Sequence, residues 1–190
     1  MNGTPTPQVE ALLVVDMQND FFNHSELRRC RDDLIKHCNH LMDQARRAGA
    51  PIFLVRTVHA SDRSTWTLNM LQDGEGMTIE GRPGAETVDG LDTERAIEVI
   101  KTRDSAFYAT RLADELEARS ISSFALCGVS TESCIATTAA DAYARDLHVV
   151  LVDRATASID EEQHTLTLRL LETQYRQPVL QPEDVAFVQR

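Results

Sequence analysis

Apolar residues fall along this chain in two arrangements, short unbroken runs and longer stretches spaced at three and four. "ALLVVD", Ala11 to Asp16, is an unbroken run too short for a helix and closed by a carboxylate, which predicts a buried parallel strand. From Ser25, a candidate N-cap with Glu26 just inside, to Gly49, a natural C′ glycine, the residues Leu27, Leu34, Ile35, Cys38, Leu41, Met42 and Ala45 recur at helical spacing. That stretch predicts a helix packed on the strand. "PIFLVRTV", Pro51 to Val58, and "AIEVI", Ala96 to Ile100, read as the second and third strands. A helix from about Thr110 to Arg119, the strand "FALCGV", a helix after Thr131, the strand "HVVLVD" and a helix from about Asp160 to Tyr175 continue the alternation. The tail "PVLQPEDVAFVQR" reads as a short strand and then a helix, with Pro182 at its first position and Glu183 and Asp184 in the first turn.

Strands that alternate with helices predict an α/β fold, a mainly parallel sheet joined by right-handed crossovers with helices on both faces. The interval His59 to Glu94 breaks the rhythm: it holds five of the eight glycines and no helical or strand period. An irregular stretch of that length in a compact fold is usually a functional loop or lid. In such sheets ligands bind beyond the carboxyl ends of the strands. Three reactive side chains fall at such ends: Asp16, Lys101 and, just past the fourth strand, Cys134.

With 190 residues, 42% of them hydrophobic, residues 1–190 are expected to form one domain around one substantial core. A formal charge of −11 argues against nucleic-acid and anionic-membrane partners, which need a basic face, and leaves a small-molecule substrate as the expected partner. The first residues carry neither the basic nor the apolar region of a signal peptide, and no apolar run approaches the roughly 20 residues of a membrane span, so a cytoplasmic protein is expected. Cys30 and Cys38 on one helix would lie about 12 Å apart, too far to bridge, and the four cysteines are expected to be free thiols.

"GVSTESCIATTAADA", Gly128 to Ala142, sets Cys134 after a small, hydroxyl-rich turn. If Ser130 or Thr131 caps the following helix, Cys134 falls in its first turn, where unpaired N–H groups and the helix dipole favour the thiolate. Its pKa is then expected to fall, further still beside the ammonium of Lys101. Asp16 could accept the thiol proton, and the same N–H groups could hold an oxyanion. Cys127, inside an apolar strand, reads as a structural thiol.

"VVDMQNDFF", "IKTRDSAF", "GVSTESCIATTAADA" and "VVLVDRATAS", in that order and spacing, resemble the isochorismatase-like superfamily of cysteine hydrolases across nearly the whole chain. The resemblance implies a three-layer α/β/α, Rossmann-like fold with a six-stranded sheet in the order 3-2-1-4-5-6. It also implies a catalytic triad of Asp16, Lys101 and Cys134, and a cis peptide between Val129 and Ser130 that turns the Ser130 and Cys134 N–H groups inward as an oxyanion hole. The implied activity is hydrolysis of a C–N bond in a small amide, ureide or carbamoyl compound through a thioester, without a cofactor, by a homodimer or homotetramer. Vinyl ether hydrolysis with Asp16 as the acid, and a non-catalytic binding role on the same fold, are the alternatives.

Asp20 reads as a hydrogen-bond partner behind the site or a loop cap. Phe21 matches the family's pocket aromatic, whereas Phe22 reads as core. Trp66, with Arg63 and Arg82 near it in the long loop, reads as part of a lid over the pocket or as an interface residue, and Phe107 as a pocket wall or ordinary core. The superfamily's nicotinamidases carry a metal on an Asp-x-His pair after the second strand. Here His59 stands in place but Thr57 occupies the aspartate's position, which argues against a metal and for a pocket or surface role of His59. The His and Cys residues of "CRDDLIKHCNH" spread around one amphipathic helix and do not read as ligands.

Overall fold

The computed structural model describes residues 7–188. Its main sheet has six strands, all parallel: β2 (Ala11–Val15), β3 (Ile52–Thr57), β4 (Ile97–Lys101), β5 (Ser123–Val129), β6 (His148–Ala157) and β7 (Val179–Leu180). They lie in the order β4-β3-β2-β5-β6-β7, the order implied by the resemblance. β1 (Gln8–Val9) precedes them and pairs with β8 (Ala186–Phe187) in a separate two-stranded ribbon.

The sheet is buried on both sides because side chains alternate along each strand. Leu12 and Val14 of β2, Ala125 and Cys127 of β5 and Val150 and Val152 of β6 face α1 (Ser25–Ala48), whose Leu34, Cys38, Leu41 and Met42 fill that core. Leu13 and Val15, Phe53 and Val55, Phe124 and Leu126 face the other layer. That layer consists of α3 (Leu112–Glu117), α4 (Ala136–Tyr143) and α5 (Glu161–Tyr175). Each fully buried leucine of these stripes contributes about 1.5–3 kcal/mol. The α1 stripe buries every residue that the periodicity singled out, and Gly49 ends the helix at φ 72° with its N–H bonded to the Ala45 and Arg46 carbonyls. Ser25 itself opens α1; His24 holds the cap position and makes no side-chain cap.

Two expectations for local structure change. The long interval contains a short helix, α2 (Leu68–Asp73), capped by Thr67, and a small core of Trp66, Met70 and Ile79. The tail's expected helix is a single 3-10 turn, Pro182–Asp184; the chain then straightens so that Ala186 and Phe187 pair with Gln8 and Val9. All four cysteines are free, and Cys38 and Cys127 pack sulfur to sulfur at 3.9 Å between α1 and the sheet. No helix among the described residues is long and apolar enough to cross a membrane.

Candidate active site

β2 and β5 are neighbours in space, and the chain leaves them toward opposite flanks of the sheet, which opens a crevice at their carboxyl ends. Asp16 ends β2 with a left-handed backbone, φ 53°, and its carboxylate is fully buried. Lys101 ends β4, two strands away, and its side chain runs back under β3 to the same point. Lys101 Nζ lies 2.7 Å from Asp16 Oδ2 and 3.3 Å from Cys134 Sγ, with all three residues buried. The Arg103 carbonyl accepts a further bond from Nζ at 3.1 Å.

Thr57, at the end of β3, ties the pair together. Its hydroxyl accepts from Lys101 Nζ at 2.7 Å and donates to Asp16 Oδ1 at 2.9 Å, and its backbone N–H also donates to Asp16 Oδ1 at 2.9 Å. Fully buried Gln18 holds Thr57 in turn: its amide donates to the Thr57 carbonyl at 2.8 Å and the Ala85 carbonyl at 2.7 Å, and its oxygen accepts from the Thr57 N–H at 2.9 Å. Every polar atom of this cluster therefore has a partner, as burial at this depth requires.

The turn that carries Cys134 begins at Gly128, where φ is +115° and a Cβ would stand 2.0 Å from the Val15 carbonyl oxygen, so only glycine fits. The next bond, Val129–Ser130, is a cis peptide. The Ser130 N–H finds no acceptor among the described residues. Neither Ser130 nor Thr131 caps the helix through its side chain. The first turn, Thr131–Ile135, is π-wound, with the Ala136 N–H reaching back to the Thr131 carbonyl, and the Thr131 hydroxyl pairs instead with His164 Nδ1 at 2.7 Å. His164 Nε2 lies 3.2 Å from Asp153 Oδ1, and Gln181 donates to Asp153 Oδ2 at 3.0 Å. With Nε2–H donating to the carboxylate, Nδ1 accepts from Thr131, and this chain ties the turn that carries Cys134 to β6 and α5. It joins residues distant in sequence, and no local pattern announces it.

Electrostatics correct one expectation outright. Burial first, and the Asp16 carboxylate second, push the Cys134 thiol well above the ordinary thiol range; Lys101 acts the other way and does not prevail. Burial of the sulfur anion outweighs the helix terminus and the ammonium. Burial also works against the charge on Lys101, but Asp16 and then Cys134 outweigh it and raise its pKa. The resting cluster is thus a thiol beside a carboxylate–ammonium pair.

Above Cys134 opens a cavity of about 410 Å³, walled by Phe21, Thr57, His59 and Ser133 and covered by the 67–77 segment through Met70 and Met77. His59 is buried, its Nδ1 2.9 Å from the Thr65 carbonyl. Asp20 accepts from the Thr78 N–H at 2.6 Å and thereby pins the covering segment rather than touching the buried cluster. Trp66 and Phe107 do not line this cavity. Trp66 lies behind its wall, packed on Met70 and Ile79, with its indole N–H donating to the Ala60 carbonyl at 3.1 Å, and so anchors the cover from within. Phe107 is core, packed against Phe124. A larger cavity of about 790 Å³ opens at the amino-terminal ends of β5 and β6 and contains none of the clustered residues.

Sequence and structure comparisons agree on the class of fold, that of the isochorismatase-like cysteine hydrolases. The chain belongs to the isochorismatase family: the profile of the Isochorismatase domain matches residues 10–183. It is 32% identical to a "probable inactive nicotinamidase" of Arabidopsis thaliana over 169 residues, 83% of this chain and 85% of that one. It is 31% identical to Nicotinamidase 3 of the same plant over 167 residues, 86% and 81% of the two chains. The solved pyrazinamidase of Pyrococcus horikoshii in complex with zinc superposes with a TM-score of 0.78 at 28% identity, covering 92% of this chain and 99% of that one.

Zinc does not fit the residues of this chain. The Thr57 hydroxyl is spent on Asp16 and Lys101, one nitrogen of His59 is spent on Thr65, and no group of three His, Cys, Asp or Glu side chains among the described residues is arranged to hold a metal ion.

Proposed function

We propose that the chain hydrolyses the C–N bond of a small amide, ureide or carbamoyl compound through a thioester on Cys134. The observation that carries the reading is the placement of Lys101 Nζ 2.7 Å from the Asp16 carboxylate and 3.3 Å from the Cys134 sulfur, beneath a cavity of about 410 Å³.

Because the thiol rests protonated, the nucleophile forms only as substrate arrives. Asp16 takes the proton while sulfur attacks the carbonyl carbon, and the carbonyl electron pair moves to oxygen. The Ser130 and Cys134 N–H groups are the proposed donors to that oxyanion, and Lys101 keeps positive charge beside it. Collapse of the adduct breaks the C–N bond, and the departing nitrogen takes the proton from Asp16. Water then attacks the thioester with Asp16 as its base. The second collapse expels the sulfur, which recovers the proton, so the sum is amide plus water giving acid plus amine or ammonia. Lys101 stays charged throughout and holds Asp16 in place as a base.

Ammonia release from a panel of small primary amides, ureides and carbamoyl amino acids, compared between wild type and Cys134→Ala, tests this. Activity on a panel member that the substitution abolishes supports the reading. Activity that survives the loss of sulfur, or silence across the panel, overturns it in favour of acid catalysis by Asp16 or a binding role.

A further inference from the structure

The walls of the cavity above Cys134 are one-sided in charge. His59 supplies the first part. Its Nδ1 meets the Thr65 carbonyl, which can only accept, so Nδ1 carries the proton. The same carbonyl also accepts from Arg103 at 2.8 Å, which engages that guanidinium at the back of the site. Burial, and next to it Arg103 and Lys101, keep the ring neutral against the pull of the Thr65 bond and Asp16. His59 Nε2 is then a bare lone pair with no partner among the described residues, on a residue only 2% exposed that lines the same cavity.

Carboxylates supply the second part. Asp73 and Glu75, at the end of the covering helix, and Asp104, three residues past Lys101, are exposed at the rim of the cavity they line, and none of them forms an ion pair or hydrogen bond with a described residue. The remainder of the wall is apolar or neutral, through Phe21, Met70 and Met77. The ammonium of Lys101 is paired and fully buried beneath, and no lysine or arginine lines the space open to a ligand, so the charged side chains lining that space are carboxylates, beside the neutral Thr67, Asn69 and Ser133.

We infer that the compound hydrolysed here is a cationic amide, whose ammonium or amidinium group sits among Asp73, Glu75 and Asp104 while one of its N–H groups donates to His59 Nε2. The inference rests on the hydrolase reading above and narrows its substrate class. Amides that carry a carboxylate are excluded by the same walls, because each would bring a fourth negative charge against three carboxylates with no cation to meet it.

A measurement independent of turnover tests the charge preference. A methanethiosulfonate bearing a trimethylammonium group and one bearing a sulfonate each convert a thiol to a mixed disulfide and release methanesulfinate. The rates at which they label Cys134, read on its own peptide by mass spectrometry, give a cation-to-anion ratio to set against that of free cysteine. The expected ratio exceeds the free value by on the order of tenfold at low salt and is compressed at high salt. It returns to the free value when Asp73→Asn, Glu75→Gln and Asp104→Asn are combined. A wild-type ratio equal to that of free cysteine, or favouring the anion, overturns the inference even if the salt series alone is available because the triple variant does not fold. In the amide panel, kcat/KM is expected to fall from an ammonium-bearing amide to its neutral isostere and again to its carboxylate counterpart, and a reversed order overturns the inference while leaving the hydrolase reading intact. A silent panel with the labelling preference present sinks the hydrolase reading and upholds the carboxylate-lined, cation-selecting cavity.

Discussion

Lys101 Nζ donates to Thr57 Oγ1 at 2.7 Å. The contact places a neutral hydroxyl between a buried ammonium and a buried carboxylate, since the same Oγ1 donates to Asp16 Oδ1. Lys101→Met would leave Asp16 charged and unpaired in a dry site, at a cost of about 3–5 kcal/mol. Thr57→Val removes one donor and one acceptor and should cost about 1–3 kcal/mol, with kcat lowered by about tenfold, whereas Thr57→Ser restores most of both. Urea denaturation alongside amide turnover checks the set; a Thr57→Val protein with wild-type stability and kcat would show that the hydroxyl does not hold the pair.

The residues at the position of the zinc relative's likeness predict metal-independent behaviour. Dialysis against a strong chelator is expected to leave turnover unchanged, and added zinc is expected to leave Tm unchanged, because the Thr57 hydroxyl is committed to Asp16 and Lys101, and His59 has no second and third His, Cys, Asp or Glu among the described residues placed to complete a metal site with it. Activity lost to the chelator and restored by zinc would refute this.

Alkaline stability follows from the direction of the thiol shift. Cys134 binds its proton more tightly folded than unfolded, so its contribution is complete below the unfolded value of about 8.5 and is lost as pH rises through the higher folded value. Buried Cys127, raised by its hydrogen bond with Cys38 and by burial, and Lys101, raised by Asp16 and Cys134 against its burial, act in the same direction. Urea midpoints measured from neutral pH upward should fall in the alkaline range, and less steeply in Cys134→Ser, which has no thiol there to titrate. Equal slopes in the two proteins would contradict the shift.

His164 holds the turn that carries Cys134 through Thr131 without touching the cavity. His164→Leu breaks the bond to Thr131 and should lower kcat by about tenfold with KM little changed, and Thr131→Val should do the same. In the double variant the losses should not add, because both remove one bond. Additive losses, or an effect confined to KM, would assign these residues another role.

What could be read from the chain, and what could not, divides by the range of the interactions. The strand runs and the α1 stripe were legible because each is a local period, and Asp16, Lys101 and Cys134 were legible as reactive groups at strand ends. The core of Trp66, Met70 and Ile79 under the covering segment was not, because three apolar residues spread over fourteen positions make no period. The Thr131–His164–Asp153 chain was hidden for the same reason, and it also explains why Thr131, one of the two candidate caps with Ser130, does not cap the helix: its hydroxyl has a partner elsewhere. Pro182 with Glu183 and Asp184 is a sound helix start locally, yet pairing of Ala186 and Phe187 with β1 overrides it. The thiol shift was misread because a helix terminus and a nearby lysine are visible in sequence, whereas the depth of burial that outweighs them is not.

The most direct test of the account is to trap its intermediate. The protein is mixed with the amide it turns over fastest, quenched in acid during turnover, digested, and the peptide carrying Cys134 weighed. The account predicts a mass increase equal to the acyl group on that peptide, released by neutral hydroxylamine and absent in Asp16→Asn and Cys134→Ala. Turnover with an unmodified Cys134 peptide at every quench time, at a rate unchanged in Cys134→Ala, would contradict it.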